Sequence, residues 1–494
     1  MFKRMSICLM IVAGSIYIPA TVTAQEFPIA VGSDTTFGGD AAFDGTNYLI
    51  AIGGDASSKT SITAQFVSSS GSLVGARISL GKTGGTPKVA FDGTNYLLMW
   101  NAGYSNPFTS SDIYVTGPVY GQFINTSGNL VGTAFTIATG VNLKVGGAIA
   151  FNDTAYLVTY AKGGYHVDYL YGQRISRSGT LIGSPIQISS NYAREASLAY
   201  DGTNYLVAWC ERYVPTTMNI NLDRNIYGQF ISKSGVLVGS NFLIDDGPNP
   251  SDNPVSVTFG GSGYVVCFHD QAADTMHRWN LIARLVSTSG SVATNRVTIC
   301  DSTQNPFFPS AAFDGTNYLL TWITMSPSAQ VKGRFYNTSG VPVDTAFVIF
   351  DTLGGKFPFG GVALFADNQF LAGAIRLDSN FTNGDIYGIF LKPSTTGVEK
   401  RDLNQISRQL SLSQNFLNPF DHSSADISFT LASNSCVSLK VFDLAGREMA
   451  ALVNNEMMPA GTYTKRWNTG ATSSGMYLYR LRAGSSTITT KALR

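Results

Sequence analysis

The phrase Phe-Asp-Gly-Thr-Asn-Tyr-Leu begins at Phe43, Phe91 and Phe313, and recurs with a tyrosine in front at Tyr200. Divergent copies start at Phe151 (FNDTAYL), Phe259 (FGGSGYV) and Phe365 (FADNQFL), which makes seven in all. A unit that repeats every fifty or so residues confines the chain to architectures built by stacking one supersecondary unit on the next. In such folds each unit buries its apolar face on its neighbours.

Each copy carries more than the phrase. In the fourth, Tyr205 to Trp209 is followed by a variable stretch, then Tyr227 to Ile231, Ser234 to Gly239, and Phe242 to Ile244. Short runs rich in Val, Ile, Tyr and Phe, divided by Gly, Asn and Ser, predict four antiparallel strands per unit. On the second strand the first and fifth positions share a face and are bulky: Tyr96 and Trp100, Tyr205 and Trp209, Tyr318 and Trp322. On the third strand the residue after the tyrosine position is always small: Ala64, Gly121, Gly172, Gly228, Ala283, Gly333 and Gly388. Small beside large is what facing sheets need in order to interdigitate. In the phrase itself Gly supplies a positive φ, and the Asp carboxylate can accept nearby amides, as a tight turn requires.

These patterns predict an all-β chain whose first part is a seven-bladed β-propeller over residues 25–391. The seventh copy ends at Ile386-Tyr-Gly-Ile-Phe-Leu391 without a Phe-x-Ile strand, and that strand occurs instead as Phe27-Pro28-Ile29. Paired with the seventh copy it would close the ring and remove the open edge. A twisted solenoid is the other arrangement the repeats allow. Residues 26 to 391 resemble bacterial seven-bladed propeller repeats of no assigned activity. The Gly-His and Trp-Asp pairs of WD repeats and the Ser-x-Asp-x-Gly-x-x-Trp box of sialidases are missing, so the resemblance carries no catalytic set.

The two chain ends concern destination. Lys3 and Arg4, the apolar run Met5 to Ile18, Pro19, and the small residues Val22-Thr23-Ala24 predict a secretory signal peptide over 1–24. The apolar run is too short to span a bilayer. Residues 392–410 are polar and non-repetitive, a linker. Residues 411–494 predict a small Ig-like β-sandwich, with Val437, Leu439 and Val441 alternating with polar neighbours and a turn at Leu444-Ala445-Gly446. Its motifs, in order, are Asn418-Pro419-Phe420, the Phe442-to-Arg447 turn containing Gly446, Ala460-Gly461-Thr-Tyr463, Ser474-Gly475-x-Tyr477 and Lys491. They resemble the C-terminal sorting domain of type IX secretion. The resemblance implies a sorting signal through Asn418, Pro419, Phe420, Gly446, Gly461, Gly475 and Lys491. It also implies the type IX machinery as partner, and delivery by way of the periplasm to the outer surface or medium.

Composition excludes some functions. The formal charge is +1, and removal of Lys3 and Arg4 with the leader takes it to −1. That leaves no basic field for nucleic acid. Cys210, Cys267, Cys300 and Cys436 show no paired or zinc-like spacing and are expected to be buried free thiols. No metal or cofactor motif occurs. The first-to-second and third-to-fourth strand turns are uniform and share one face, while the remaining loops vary and emerge on the other, the usual construction of a binding face. Those loops carry the aromatics Tyr104, Tyr165, Tyr213 and Trp279, and with Glu211 and Arg212 these are the candidate ligand contacts. A solvated rim of charge, including Asp245, Asp246, Asp252 and Asp270, and solvated histidines at 166, 269 and 277 are expected beside them. The expectation is an exported binding module for a glycan or protein, with no catalytic residues named. A carbohydrate-active hydrolase or lyase at the channel mouth and a structural surface-layer component are the alternatives.

Overall fold

The computed structural model describes residues 26–31, 36–54, 61–102, 116–142, 147–164, 167–189, 191, 193–212, 224–247, 251–272, 278–352, 356–378, 384–392, 411–412, 424–431, 434–443, 446–459, 461–468, 476–484 and 486–493. The expected leader, the linker beyond Lys392 and the Asn418-Pro419-Phe420 motif lie outside them. The chain divides into two compact units, Thr23–Glu399 and a second that contains Lys400–Arg494.

The first unit is all-β. A single strand, β1 (Glu26–Ala30), precedes a series of meanders. The first is β2 (Thr36–Phe43), β3 (Asn47–Gly54), β4 (Ser61–Ser68) and β5 (Leu73–Thr83). The second is β6 (Gly85–Phe91), β7 (Asn95–Asn101), β8 (Thr116–Asn125) and β9 (Leu130–Asn142). The third is β10 (Ile149–Phe151), β11 (Ala155–Gly164), β12 (Val167–Ser176) and β13 (Leu181–Gln187). The fourth is β14 (Ala193–Tyr200), β15 (Asn204–Arg212), β16 (Arg224–Ser232) and β17 (Leu237–Asp245). Next come β18 (Ser251–Phe259), β19 (Gly263–Gln271), β20 (Trp279–Ser287) and β21 (Val297–Cys300), then β22 (Pro306–Phe313), β23 (Asn317–Thr324), β24 (Gln330–Asn337) and β25 (Phe347–Phe350). The last copy supplies β26 (Phe357–Ala366), β27 (Gln369–Leu377) and β28 (Gly384–Leu391), and its fourth strand is β1, antiparallel to β28 with Phe27 opposite Gly388. The second and third meanders are joined into one sheet through a single pair, Val141 opposite Lys162. The first strands pack in chain order, β2 on β6, then β10, β14, β18, β22 and β26, and β26 packs on β2.

Four features of the repeat account for this arrangement. In the turn, Asp44, Asp92, Asp201 and Asp314 each accept the N–H groups two and three residues ahead at 2.6–2.8 Å. The glycine that follows sits at φ from +89° to +97°, a region only glycine enters without cost. The tyrosine of the phrase is buried and donates to the backbone of the preceding unit's turn. Tyr96, Tyr156, Tyr205, Tyr264 and Tyr318 reach Asn47, Asn95, Ala155, Asn204 and Gly263 carbonyls at 3.2–3.4 Å. Tyr48 of the first meander reaches Ala366 of the last at 2.8 Å. Burial raises these phenols, Tyr48 up to about 12, so they remain protonated donors.

The small residue of the third strand has a different cause from the one its sequence suggests. A Cβ on Gly228 would lie 2.8 Å from both Phe242 and Ile244, the Phe-x-Ile pair of the same sheet's fourth strand. On Gly333 it would meet Ile349 at 2.7 Å and Phe347 at 3.2 Å, and on Gly388 it would meet Phe27 at 2.6 Å. The glycine makes room for its own neighbouring strand, and β1 fills that room in the last copy. Finally, the glutamine of Tyr-Gly-Gln-Phe is buried. Gln65, Gln122, Gln173 and Gln229 each donate to the carbonyl of the next residue at 2.9–3.0 Å and to that nine residues on at 3.0–3.2 Å, fastening third strand to fourth.

The second unit holds two antiparallel sheets. One orders β29 (Ser411–Leu412), β30 (Ser424–Leu431) and β33 (Gly461–Asn468), the other β32 (Glu448–Met458), β31 (Ser435–Asp443), β34 (Met476–Ala483) and β35 (Ser486–Leu493). Ile427, Phe429 and Trp467 of the first sheet share one core with Val437, Leu439, Tyr479 and Leu481 of the second. Asp443 accepts from the Arg447 backbone at 2.9 Å and its guanidinium at 2.7 Å, and Gly446 turns the chain at φ +80°. Cys210, Cys267 and Cys300 are buried thiols outside any disulfide, as expected, but Cys436 is exposed, a correction: it pairs with Met457 along β31, where its side chain meets solvent.

Candidate functional site

The variable connections leave from the far ends of the second and fourth strands. Trp279 is the first residue of β20, in register with Gln271, so it belongs to the strand rather than to a free loop. It is half-buried, and its backbone N–H donates to the Asn305 side-chain oxygen at 3.4 Å. Its ring lies 6.2 Å from that of His269, which meets Phe307 edge-on at 5.4 Å. His269 is therefore a buried strand residue in an aromatic row, not a solvated loop histidine. Both faces of β19 are covered along its length, and Phe307 and Trp279 lie beside the imidazole.

The acidic residues also differ from expectation. Asp245 closes β17 with its side chain 2% exposed, and Asp270, near the end of β19, is 5% exposed. Arg296 binds both, through two bonds of 3.0 Å to the Asp245 carboxylate and one of 3.1 Å to Asp270. Arg284 stands 3.6 Å from Asp245. Burial raises the pKa of Asp270, and Arg296 opposes the rise. The expected solvated rim is here a desolvated ion network joining the fourth and fifth meanders, because the bidentate guanidinium offsets the burial of two carboxylates. Asp246 does face solvent. Glu211, at the end of β15, is half-buried and accepts from the Asn191 side chain at 2.8 Å; burial raises its pKa and Asn191 lowers it. Arg212 ends the same strand. Tyr104, Tyr165 and Tyr213 lie outside the described residues, so the structure brings together only Trp279 with its row, and Glu211 with Arg212 along one strand.

A cavity of about 380 Å³ is lined mainly by the first strands, with further apolar wall from β1, β3, β27 and β28. Asp40 of β2, Lys88 of β6, Ser197 of β14, Ser256 of β18 and Ser310 of β22 line it, with Phe308 and Pro309. Three of these side chains also hold the next meander: Asp40 accepts from Val89 N–H at 3.0 Å, Ser197 from Val257 at 3.1 Å and Ser310 from Ala363 at 3.1 Å. Burial raises the pKa of Asp40, while Lys88 and the Val89 amide oppose the rise. Sequence reasoning missed this set, although a signal exists. The third residue before each phrase reads Asp40, Lys88, Ala148, Ser197, Ser256, Ser310 and Val362, polar at five places within otherwise apolar strands. Among the described residues no group of three or more His, Cys, Asp or Glu is placed to hold a metal ion. Nor is any helix there long and apolar enough to cross a membrane.

In the second unit, Gly446 and Gly461 occupy a turn and the start of β33, and Lys491 lies in β35 opposite Leu478; Gly475 is outside the described residues. No curated protein matches the sequence. The structure is similar to the β-propeller domain of the trilobed protease from Pyrococcus furiosus, with a TM-score of 0.45 at 10% identity over 74% of this chain and 99% of that one. It is also similar to the polysaccharide lyase Uly1, with a TM-score of 0.47 at 10% identity over 76% and 94%. A protein of unknown function from Dyadobacter fermentans gives a TM-score of 0.45 at 11% identity over 75% and 98%. Residues 418–493 match the family model of the secretion system C-terminal sorting domain. The tail is thus a type IX sorting domain that addresses the chain to that machinery, and the protein is one that is secreted or displayed on the outer surface.

Proposed function

We propose that residues 25–391 form a seven-bladed β-propeller closed by β1, that a linker over 392–410 and an Ig-like sandwich over 411–494 follow, and that the whole is an exported binding module. The leader 1–24 takes the chain to the periplasm, and the sorting domain carries it onward. The packing of β26 on β2, the Tyr48 bond to Ala366 and the β1–β28 pairing support the closed ring. The ligand is an extracellular glycan or protein that meets the face of variable loops, with Trp279 as its aromatic contact and Tyr104, Tyr165, Tyr213, Glu211 and Arg212 around it. One observation carries this reading: Asp245 and Asp270 are both bound by Arg296, whereas Trp279 in the same region is partly exposed. Paired and desolvated carboxylates hold loops in place, and a partly exposed indole offers a flat apolar face to a sugar or a protein. An oligosaccharide array probed with the mature chain, followed by Trp279→Ala, tests it. Binding weakened about tenfold or more, the loss of one good anchor, is expected. Unchanged binding in the variant contradicts the assignment.

A further inference from the structure

The cavity lined mainly by the first strands has features that scaffolding does not require. Its polar groups come from five strands and differ in chemistry: a carboxylate at Asp40, an ammonium at Lys88, and hydroxyls at Ser197, Ser256 and Ser310. A ring held only by rungs between first strands needs acceptors, which Asp40, Ser197 and Ser310 supply. Lys88 is not one of these acceptors; its ammonium lines the cavity beside Asp40 and opposes the rise in that carboxyl's pKa. The apolar wall is also unusual. Phe308 has φ +49°, and Thr86, at the same place in the second copy, has φ +48°. The sequence sets glycine at that place in three other copies, Gly38, Gly146 and Gly360. A bulky residue held in the left-handed region is strained, and here it sits at the register shift that interrupts these first strands and places Phe308 at the cavity wall.

We propose that this cavity is a binding site for a neutral monosaccharide, in which Asp40 accepts from and Lys88 donates to sugar hydroxyls while Phe308 covers an apolar face of the ring. Asp40 and Lys88 stand on the adjacent strands β2 and β6, and the hydroxyls of Ser197, Ser256 and Ser310 come from β14, β18 and β22, so a single ring that carries several hydroxyls can meet both sets. The volume, about 380 Å³, is at the small end of ligand cavities and accommodates a single sugar ring. The site is distinct from the loop-face contacts and is lined mainly by first strands, with Ile29, Ile50, Ile375 and Ile386 completing its wall.

Calorimetric titration of the mature full-length chain with a panel of neutral hexoses, pentoses and N-acetylhexosamines tests the proposal, with free amino acids in a parallel arm. At least one sugar is expected to bind. Asp40→Asn, Lys88→Met and Phe308→Gly are each expected to weaken it at least tenfold, with Trp279→Ala leaving it unchanged. Phe308→Gly places glycine where the backbone favours it, so it remains informative if Asp40→Asn fails to fold. Three results overturn the proposal: no sugar binding, sugar binding indifferent to all three cavity variants, or binding of amino acids alone. Loss of array binding in Trp279→Ala with intact monosaccharide binding separates the loop-face reading from this one.

Discussion

The contribution of β1 can be measured with one substitution, Phe27→Ala. Phe27 occupies the space over Gly388, stacks on Phe390 with ring centroids 5.1 Å apart, and lies against Gly71 of the first meander. A fully buried Phe→Ala change costs about 3–5 kcal/mol. Phe27 is half-buried, so about half of that applies to burial, and the stacked pair adds roughly 0.5–1.5 kcal/mol. The expected loss is about 3 kcal/mol, close to a hundredfold rise in the unfolded population. Because Phe27 bridges the last and first meanders, the loss should fall on the whole first unit. Urea titration followed by hydrogen exchange on the mature chain reads this directly: amides of β3, β15 and β23 should lose protection together. Increased exchange confined to β1 and β28, with the other strands unchanged, would refute the reasoning, since β1 would then be an appended strand and not a closure.

Three further outcomes follow from named contacts. Gly228→Ala places a methyl 2.8 Å from Phe242 and Ile244 and is expected to cost about 1–3 kcal/mol in urea unfolding, whereas Gly202, at φ +96° with open space around it, should be penalised for backbone alone. Asp245→Ala leaves Arg296 and Asp270 in a partly dry site and should cost about 3–5 kcal/mol, while Asp246→Ala at the exposed neighbour should stay within about 0.5 kcal/mol. Burial pushes Asp344 up to about 6, against the opposing Phe335 amide and Arg334. The folded state therefore holds this proton more tightly than the unfolded state, so stability is higher at low pH and falls as pH rises from 3.8 through 6. Asp344→Asn should flatten that segment of the stability profile, and an unchanged slope would remove Asp344 as its cause.

The repeat phrase made the scaffold legible because turn chemistry is local: an Asp, a Gly and an amide pair two and three residues on define the turn wherever they occur. The displaced Phe27-Pro28-Ile29 was legible for a similar reason, as a missing piece with a recognisable pattern. What holds neighbouring units together was not legible. The Tyr48 bond to Ala366 and the Asp40 bond to Val89 join residues far apart in sequence, and nothing local marks them as partners. The site was read least well. Charged and imidazole side chains in nominal loops suggested a solvated rim, yet Asp245, Asp270 and His269 lie on strands that run further than the variable text implied. Arg296, which binds the two buried carboxylates, sits in the Ser-Val-Ala-Thr-Asn-Arg stretch, where the repeat predicts a uniform turn. Glycine on the third strand was predicted correctly as a position but for the wrong neighbour.

The central claim is that ligand meets the variable-loop face of an exported scaffold. In a chain that starts after residue 24 and carries Cys436→Ser, the three remaining cysteines, Cys210, Cys267 and Cys300, are buried, and burial raises the thiols of Cys267 and Cys300, to about 12 and about 11, so they resist labelling. A bulky maleimide can then be placed on one face at a time, at Thr203→Cys in the exposed uniform turn or at Trp279→Cys. Oligosaccharide-array binding should survive the label at 203 and be lost with the label at 279. Loss at 203 with retention at 279 would contradict the account.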